Sequence, residues 1–269
     1  MRSCWMIKSI GAMLALCCLA GCGGTVDPAP ATTEPIETTV ATEPAAQTPQ
    51  QMVEAFAQDN DLPIESWPDH IIAALERNPE MVQYVLEYPI EYGKKHEIDL
   101  SECAQTENVP LFIQWDKRWG YIRYGTDLVG LTGCGPTCLS MVAYYYTRDP
   151  GMSPDQIVKF SKEHGYYSLG SGSSWTLISE GAEKLGLQAQ ELSLSERQLK
   201  NALESGKPVI AAMGPGVFTT SGHYIVFVAC EDGGYRVNDP NSREKSQKVW
   251  MFDEFKDQVR NWWAMSLAQ

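Results

Sequence analysis

The run Thr137–Tyr146 carries no charged side chain, in a chain of which 20% of residues are charged. Read as a helix, it has no face to offer to water, so it must be buried with other elements packed around it. The rest of the sequence supplies those elements in a telling order. Ser153-Pro154 opens a helix that ends near Gly165. A further helical run spans Ser174 to Leu185 and is closed by Gly186. Another spans Ser195 to Ser205, with Ser195 placed to cap it. Strand signals then take over. Lys207-Pro208 leads into Val209–Met213, and His223–Cys230 is rich in Val, Ile and aromatics. Asp232-Gly233-Gly234 is a hairpin turn signal, after which Tyr235-Arg236-Val237 returns. Helices first and antiparallel strands after give an α+β fold. Residues 106–269 have the size of one domain with an ordinary core.

Three segments precede that domain. Residues 1–21 read as a secretory signal peptide: Arg2 and Lys8 form a positive start, and an apolar stretch follows from Ile10 to Ala20. The stretch is too short to span a bilayer. It ends Leu19-Ala20-Gly21-Cys22, which resembles the bacterial lipobox, so Cys22 is expected to carry acyl chains that anchor the protein to the outer face of the cell membrane. Residues 22–50 hold the lipidated Cys and a tether of Thr, Pro, Ala and Glu, too poor in apolar side chains to offset its ordering entropy. Residues 51–105 form a helical N-terminal region. Gln51–Gln58 is amphipathic, and Ile71, Ile72 and Leu75 share one side of a second run. Asn78-Pro79-Glu80 starts a third, with Asn78 as cap and Pro79 in the first turn. Pro89 is expected to stop it. Leu111-Phe112-Ile113 is a short extended run.

The formal net charge is -13. Residues 22–105 hold 3 basic and 16 acidic side chains, whereas residues 106–269 hold 16 and 18. The acidity therefore belongs to the tether and the helices after it, and with no basic stripe nucleic acid is not an expected partner. Of the eight Cys, four lie at or before residue 22. Cys103, Cys134, Cys138 and Cys230 remain, too few and too scattered for a disulfide framework. Spacing leaves open whether Cys103 pairs with Cys230.

Thr132-Gly133-Cys134-Gly135-Pro136-Thr137 places a thiol between two glycines just where the buried helix begins. Free N–H groups and the positive end of the dipole favour a thiolate there. Cys138 lies one turn further in, among Leu139, Met141 and Val142, and reads as core. A thiol nucleophile needs a base. Among the four His, His223 alone opens a strand, a rigid mount for an imidazole. The base in turn needs an orienting carboxylate or amide. Asp239, in Asn238-Asp239-Pro240, ends the returning strand. With a two-residue turn Asp239 faces Val226, so a bulge or a bend after Asn238 must bring it to His223. Gln114, 20 residues ahead of Cys134, could donate to an oxyanion together with the Cys134 N–H. Gly133, Ser173, Trp175 and Gly222, with the loops Gly170–Trp175 and Gly214-Pro215-Gly216, are expected to line the cleft.

Gln114, Gly133-Cys134-Gly135-Pro136-Thr137, Gly222-His223 and Asn238-Asp239-Pro240, in this order, resemble the bacteriocin-processing (double-glycine) cysteine peptidase family, in its stand-alone exported branch. The resemblance covers roughly residues 108–263. It implies a papain-like fold, a central helix packed on an antiparallel sheet. It implies Cys134 as nucleophile, His223 as base and acid, Asp239 as orienter and Gln114 as oxyanion donor, acting on a peptide or amide substrate with no metal and no cofactor. The absence of a transporter segment leaves the substrate open. A thiol acyltransferase on the same triad and a catalytically silent surface-binding module are the rival readings.

Overall fold

The computed structural model describes residues 47–170 and 172–268. The signal peptide, Cys22 and the tether up to residue 46 lie outside the described residues. Residues Ala46–Gln269 form one compact unit.

The first N-terminal helix begins two residues earlier than the sequence pattern indicates. Helix α1 spans Pro49–Asp59, because Thr48 and Gln51 form a reciprocal capping box that fixes its first turn. Helix α2 covers Asp69–Arg77 and α3 covers Val82–Leu86. Pro89 does not end the helical region. It occupies the first turn of another short helix, α4, Tyr88–Glu91, where a missing N–H costs nothing. Val53, Ile71, Leu75, Tyr84 and Val85 from these helices pack with Ile113, Trp115, Tyr121 and Leu128 in one apolar cluster. The N-terminal region therefore shares a core with the segment that carries Gln114.

The buried helix, α5, spans Cys134–Thr147, and every residue from Gly135 to Tyr144 is buried. Helix α6, Pro154–Glu163, lies beside it. The Ser174–Leu185 run is shorter than expected: a π turn at Leu177–Gly181 leads into one helical turn, Ala182–Lys184. Helix α7 is Glu196–Glu204, and Ser195 precedes it without a side-chain capping bond.

A six-stranded sheet supports α5. Its strands are β1 Leu187–Glu191, β2 Val209–Met213, β3 His223–Glu231, β4 Gly234–Asn238, β5 Val249–Trp250 and β6 Val259–Leu267. Their spatial order is β1-β6-β2-β3-β4-β5 and every pairing is antiparallel. Along β2, β3 and β6 alternate side chains serve two cores. Ile210, Ala212, Tyr224, Val226, Trp263 and Met265 face the cluster that holds α5 and α6. Val209, Ala211, Ile225, Phe227, Trp262 and Ala264 face a second cluster closed by Leu199, Leu203 and Phe255. Strand β6 escapes the sequence pattern because, unlike β2 and β3, it also lacks a run rich in Val and Ile. Buried on both faces, it has no apolar–polar alternation to detect. The Leu111–Ile113 run joins no sheet.

Ile71 is completely buried in the apolar cluster that the N-terminal helices share with the segment carrying Gln114. Ile71→Ala is expected to lower the unfolding free energy by about 2–5 kcal/mol, read from urea denaturation of the purified chain.

Candidate active site

Cys134 is the first residue of α5, so its backbone N–H is among those that an α-helix leaves without an internal partner. The helix start is packed tightly from one side. A Cβ added at Gly135 would lie 2.6 Å from the Ser173 Oγ, so only glycine lets the thiol-bearing turn approach Ser173 this closely. Ser173 is itself fixed: its Oγ shares a 2.7 Å hydrogen bond with the Tyr124 hydroxyl, which also bonds Ser161 Oγ at 2.8 Å. The Tyr224 hydroxyl donates to the Ser173 carbonyl at 3.3 Å. Burial raises the pKa of both phenols, so each keeps its one O–H proton.

His223 opens β3, opposite Met213 of β2. Its Nε2 lies 2.7 Å from Asp239 Oδ1, and both side chains are buried. Burial alone drives an imidazole towards its neutral form. Here the Asp239 charge and hydrogen bond, followed by the neighbouring Cys134 sulfur, more than reverse that effect and raise the His223 pKa. With Nε2 on the carboxylate, Nδ1 is the nitrogen left for Cys134.

Both devices needed to bring Asp239 to His223 are present. The register of β3 and β4 slips by one between Phe227 and Ala229, so Asn238 rather than Asp239 stands opposite Val226. Strand β4 then ends at Asn238 and the chain turns, with Asp239 bridging Ser242. The turn is held from several sides. Asp239 N–H donates to Ser246 Oγ at 2.9 Å, and Asn241 N–H donates to Asp239 Oδ1 at 2.8 Å. Asn238 Nδ2 donates to the Val109 and Pro110 carbonyls. From the N-terminal region, Asn78 Nδ2 donates to the Asn241 carbonyl at 2.6 Å. Glu80 accepts from Ser242 Oγ and, at 2.8 Å, from the Arg243 N–H.

The expected site residues are distributed unevenly around this centre. Cys134, Ser173, Trp175, Gly222 and His223 line a cleft of about 300 Å³, together with Gly214 and Pro215. Gly133 does not line it. It is buried against Val129, where a Cβ would meet the Val129 side chain at 2.5 Å. Gln114 is buried and also absent from the cleft wall. Its backbone N–H donates to the Pro240 carbonyl at 2.7 Å, and its side-chain Nε2 donates to the Gly130 carbonyl at 2.9 Å. One amide hydrogen remains on that nitrogen. Cys138 is fully buried and its thiol is pushed well above the ordinary range, chiefly by burial. Cys103 and Cys230 are both free. Tyr124, Tyr224 and Ser161 had no signal in the sequence, because an aromatic or a Ser in an apolar context reads as plain core. Among the described residues no group of three His, Cys, Asp or Glu side chains is placed to hold a metal.

A helix-start thiol beside a buried imidazole–carboxylate pair, on a central helix packed against an antiparallel sheet, defines the papain-like class of thiol enzyme. A family model described as the Peptidase C39-like family matches residues 106–268. The chain belongs to that family and is a cysteine peptidase-like enzyme with peptides as its substrate class. Two solved structures are similar to it. The peptidase domain of Streptococcus ComA, a bi-functional ABC transporter involved in a quorum sensing pathway, is 23% identical over 51% of this chain and 92% of its own, with a TM-score of 0.39. A C39-like peptidase from Bacillus anthracis is 16% identical over 61% of this chain and 97% of its own, with a TM-score of 0.36. No curated protein matches the chain.

The raised His223 pKa fixes a pH dependence. A folded-state pKa above the ordinary 6.5 stabilises the fold fully below pH 6.5, and that stabilisation is lost as pH rises through the folded value. The stability gap between wild type and Asp239→Asn should therefore be widest near pH 6 and shrink as pH climbs towards 10, measured as urea midpoints across that range.

Proposed function

We propose that this chain is a surface-anchored peptide hydrolase working through a Cys134–His223–Asp239 triad. The observation that carries the reading is the position of His223, whose one ring nitrogen is taken by a buried carboxylate while the ring adjoins the Cys134 thiol. That arrangement favours a thiolate–imidazolium pair. The thiolate attacks the scissile carbonyl and a C–S bond forms. The oxyanion is met by the Cys134 N–H; the family resemblance assigns the second donor to Gln114, whose side chain is buried behind the cleft wall. His223 passes its proton to the leaving amine as the C–N bond breaks. Water gives a proton to His223 and attacks the thioester, a C–O bond forms as the C–S bond breaks, and the acid leaves with the thiolate–imidazolium pair restored. Asp239 holds the ring in the orientation this exchange needs.

The anchoring half of the proposal rests on the sequence. Leu19-Ala20-Gly21-Cys22 supplies the small residues and thiol that lipid attachment requires, and residues 23–50 supply a spacer. Two acyl chains suffice for stable attachment without a membrane-crossing helix.

A mild alkylator applied to the full chain across pH tests the nucleophile. Cys134 should take the label in the wild type and react far more slowly in His223→Ala, while Cys138 stays unlabelled. Preferential labelling of Cys230 or Cys138 would overturn the assignment. Cys134→Ala should lower peptide cleavage by at least about a thousandfold, whereas Cys138→Ala should stay within a few fold. Labelled fatty acid should enter the wild type in cells and be absent from Cys22→Ala.

A further inference from the structure

The cleft holds one charge that hydrolysis itself does not use. Arg260 lines it beside Cys134 and His223, and no carboxylate lines it. Arg260 takes part in none of the salt bridges among the described residues.

The backbone aims this side chain. Val259 pairs with Met213, but Asn261 pairs with Ala212, so Arg260 is the extra residue of a bulge at the start of β6. Bulges re-aim side chains and are common beside active sites. The facing loop makes room. A Cβ on Gly214 would fall 2.3 Å from Arg260 Nε and 2.6 Å from Nη2, so the guanidinium lies against bare backbone. Gly214 has no positive φ, so space and not conformation calls for glycine there. Its N–H is tied to the Gln258 carbonyl at 2.7 Å, which holds the loop against the base of the bulge. Met213 pairs with Val259 on one side and with His223 on the other. Arg260 thus enters the cleft about two strand spacings, roughly 10 Å, from the His223 backbone. An extended peptide covers that distance in about three residues.

We propose that Arg260 is the specificity-determining residue of the cleft and pairs with a carboxylate on the peptide, two or three residues from the scissile bond. A guanidinium fork matches a carboxylate with two parallel hydrogen bonds. The carboxylate is either an Asp or Glu side chain or the free C-terminus of the substrate. This proposal rests on the peptidase reading above, and its test separates the two.

A defined peptide library is digested with the full chain as wild type, Arg260→Ala and Gly214→Ala, and the cleaved peptides are identified by mass spectrometry. Wild type should prefer peptides with a carboxylate at one fixed distance from the cut. Arg260→Ala should lower kcat/KM for those peptides by about 10- to 100-fold, with neutral peptides little changed. Gly214→Ala should reproduce the loss, because it displaces the guanidinium without removing the charge. C-terminal amidation abolishes the preference if the α-carboxylate is bound, and Asp→Asn or Glu→Gln in the peptide abolishes it if a side chain is bound. A wild type without such a preference, or one that Arg260→Ala leaves unchanged, overturns the proposal. If wild type cleaves no peptide, the peptidase reading fails, and the ratio of iodoacetate to iodoacetamide labelling at Cys134 decides the anion site by itself. A several-fold fall of that ratio in Arg260→Ala supports the site, and an unchanged ratio overturns it.

Discussion

A carboxylate buried beside an imidazole is the constraint around which much of this molecule is arranged. Asp239 is completely buried and bonds His223 at 2.7 Å. Taking such a pair out of water is costly unless geometry and further hydrogen bonds compensate. The surroundings supply them on one oxygen: the Asn241 N–H reaches the same Oδ1 as His223 and Ser246 takes the Asp239 N–H, while Oδ2 has no partner among the described residues. The bulge at Val228 and the end of β4 at Asn238 bring the carboxylate to the ring. Asn238, the residue before it, ties the extended segment that leads to Gln114 to this turn. One buried ion pair thus dictates a register slip, a strand end and the course of a distant segment.

The helix start is a second constrained point, built differently. Its tightness comes from an absent side chain at Gly135 and from a hydroxyl relay through Ser173, Tyr124 and Ser161. The relay joins α6 to the wall of the cleft, so the thiol sits on a helix that is braced from its neighbour as well as from the sheet.

Much of this was legible in the residues. Gly133-Cys134-Gly135-Pro136 marked the helix start, and the absence of charge from Thr137 to Tyr146 marked its burial. His223 was legible because it alone of four His begins a strand. Asp239 could be named only with a condition attached, since a two-residue turn puts it one position out of register. The condition was local geometry, which spacing cannot encode. Gly133 misled because a glycine beside a nucleophile suggests access to substrate, whereas here it answers to Val129 beneath it. Strand β6 was illegible because Trp262, Trp263 and Met265 are buried on opposite faces, which erases alternation, and because, unlike β2 and β3, it lacks a run rich in Val and Ile. Arg260 was illegible because a bulge residue carries no signature of its own.

The Glu80 carboxylate lies at the first turn of Arg243–Gln247, accepting from the Arg243 N–H and from Ser242, the residue that caps that helix. It is a helix cap delivered from about 160 residues away, and Asn78 steadies the same turn. Family boundaries drawn from residue 106 onward therefore cut through a structural joint. A chain cut at residue 106 loses both side chains, Asn78 and Glu80, that hold the Asp239 turn from outside the matched segment.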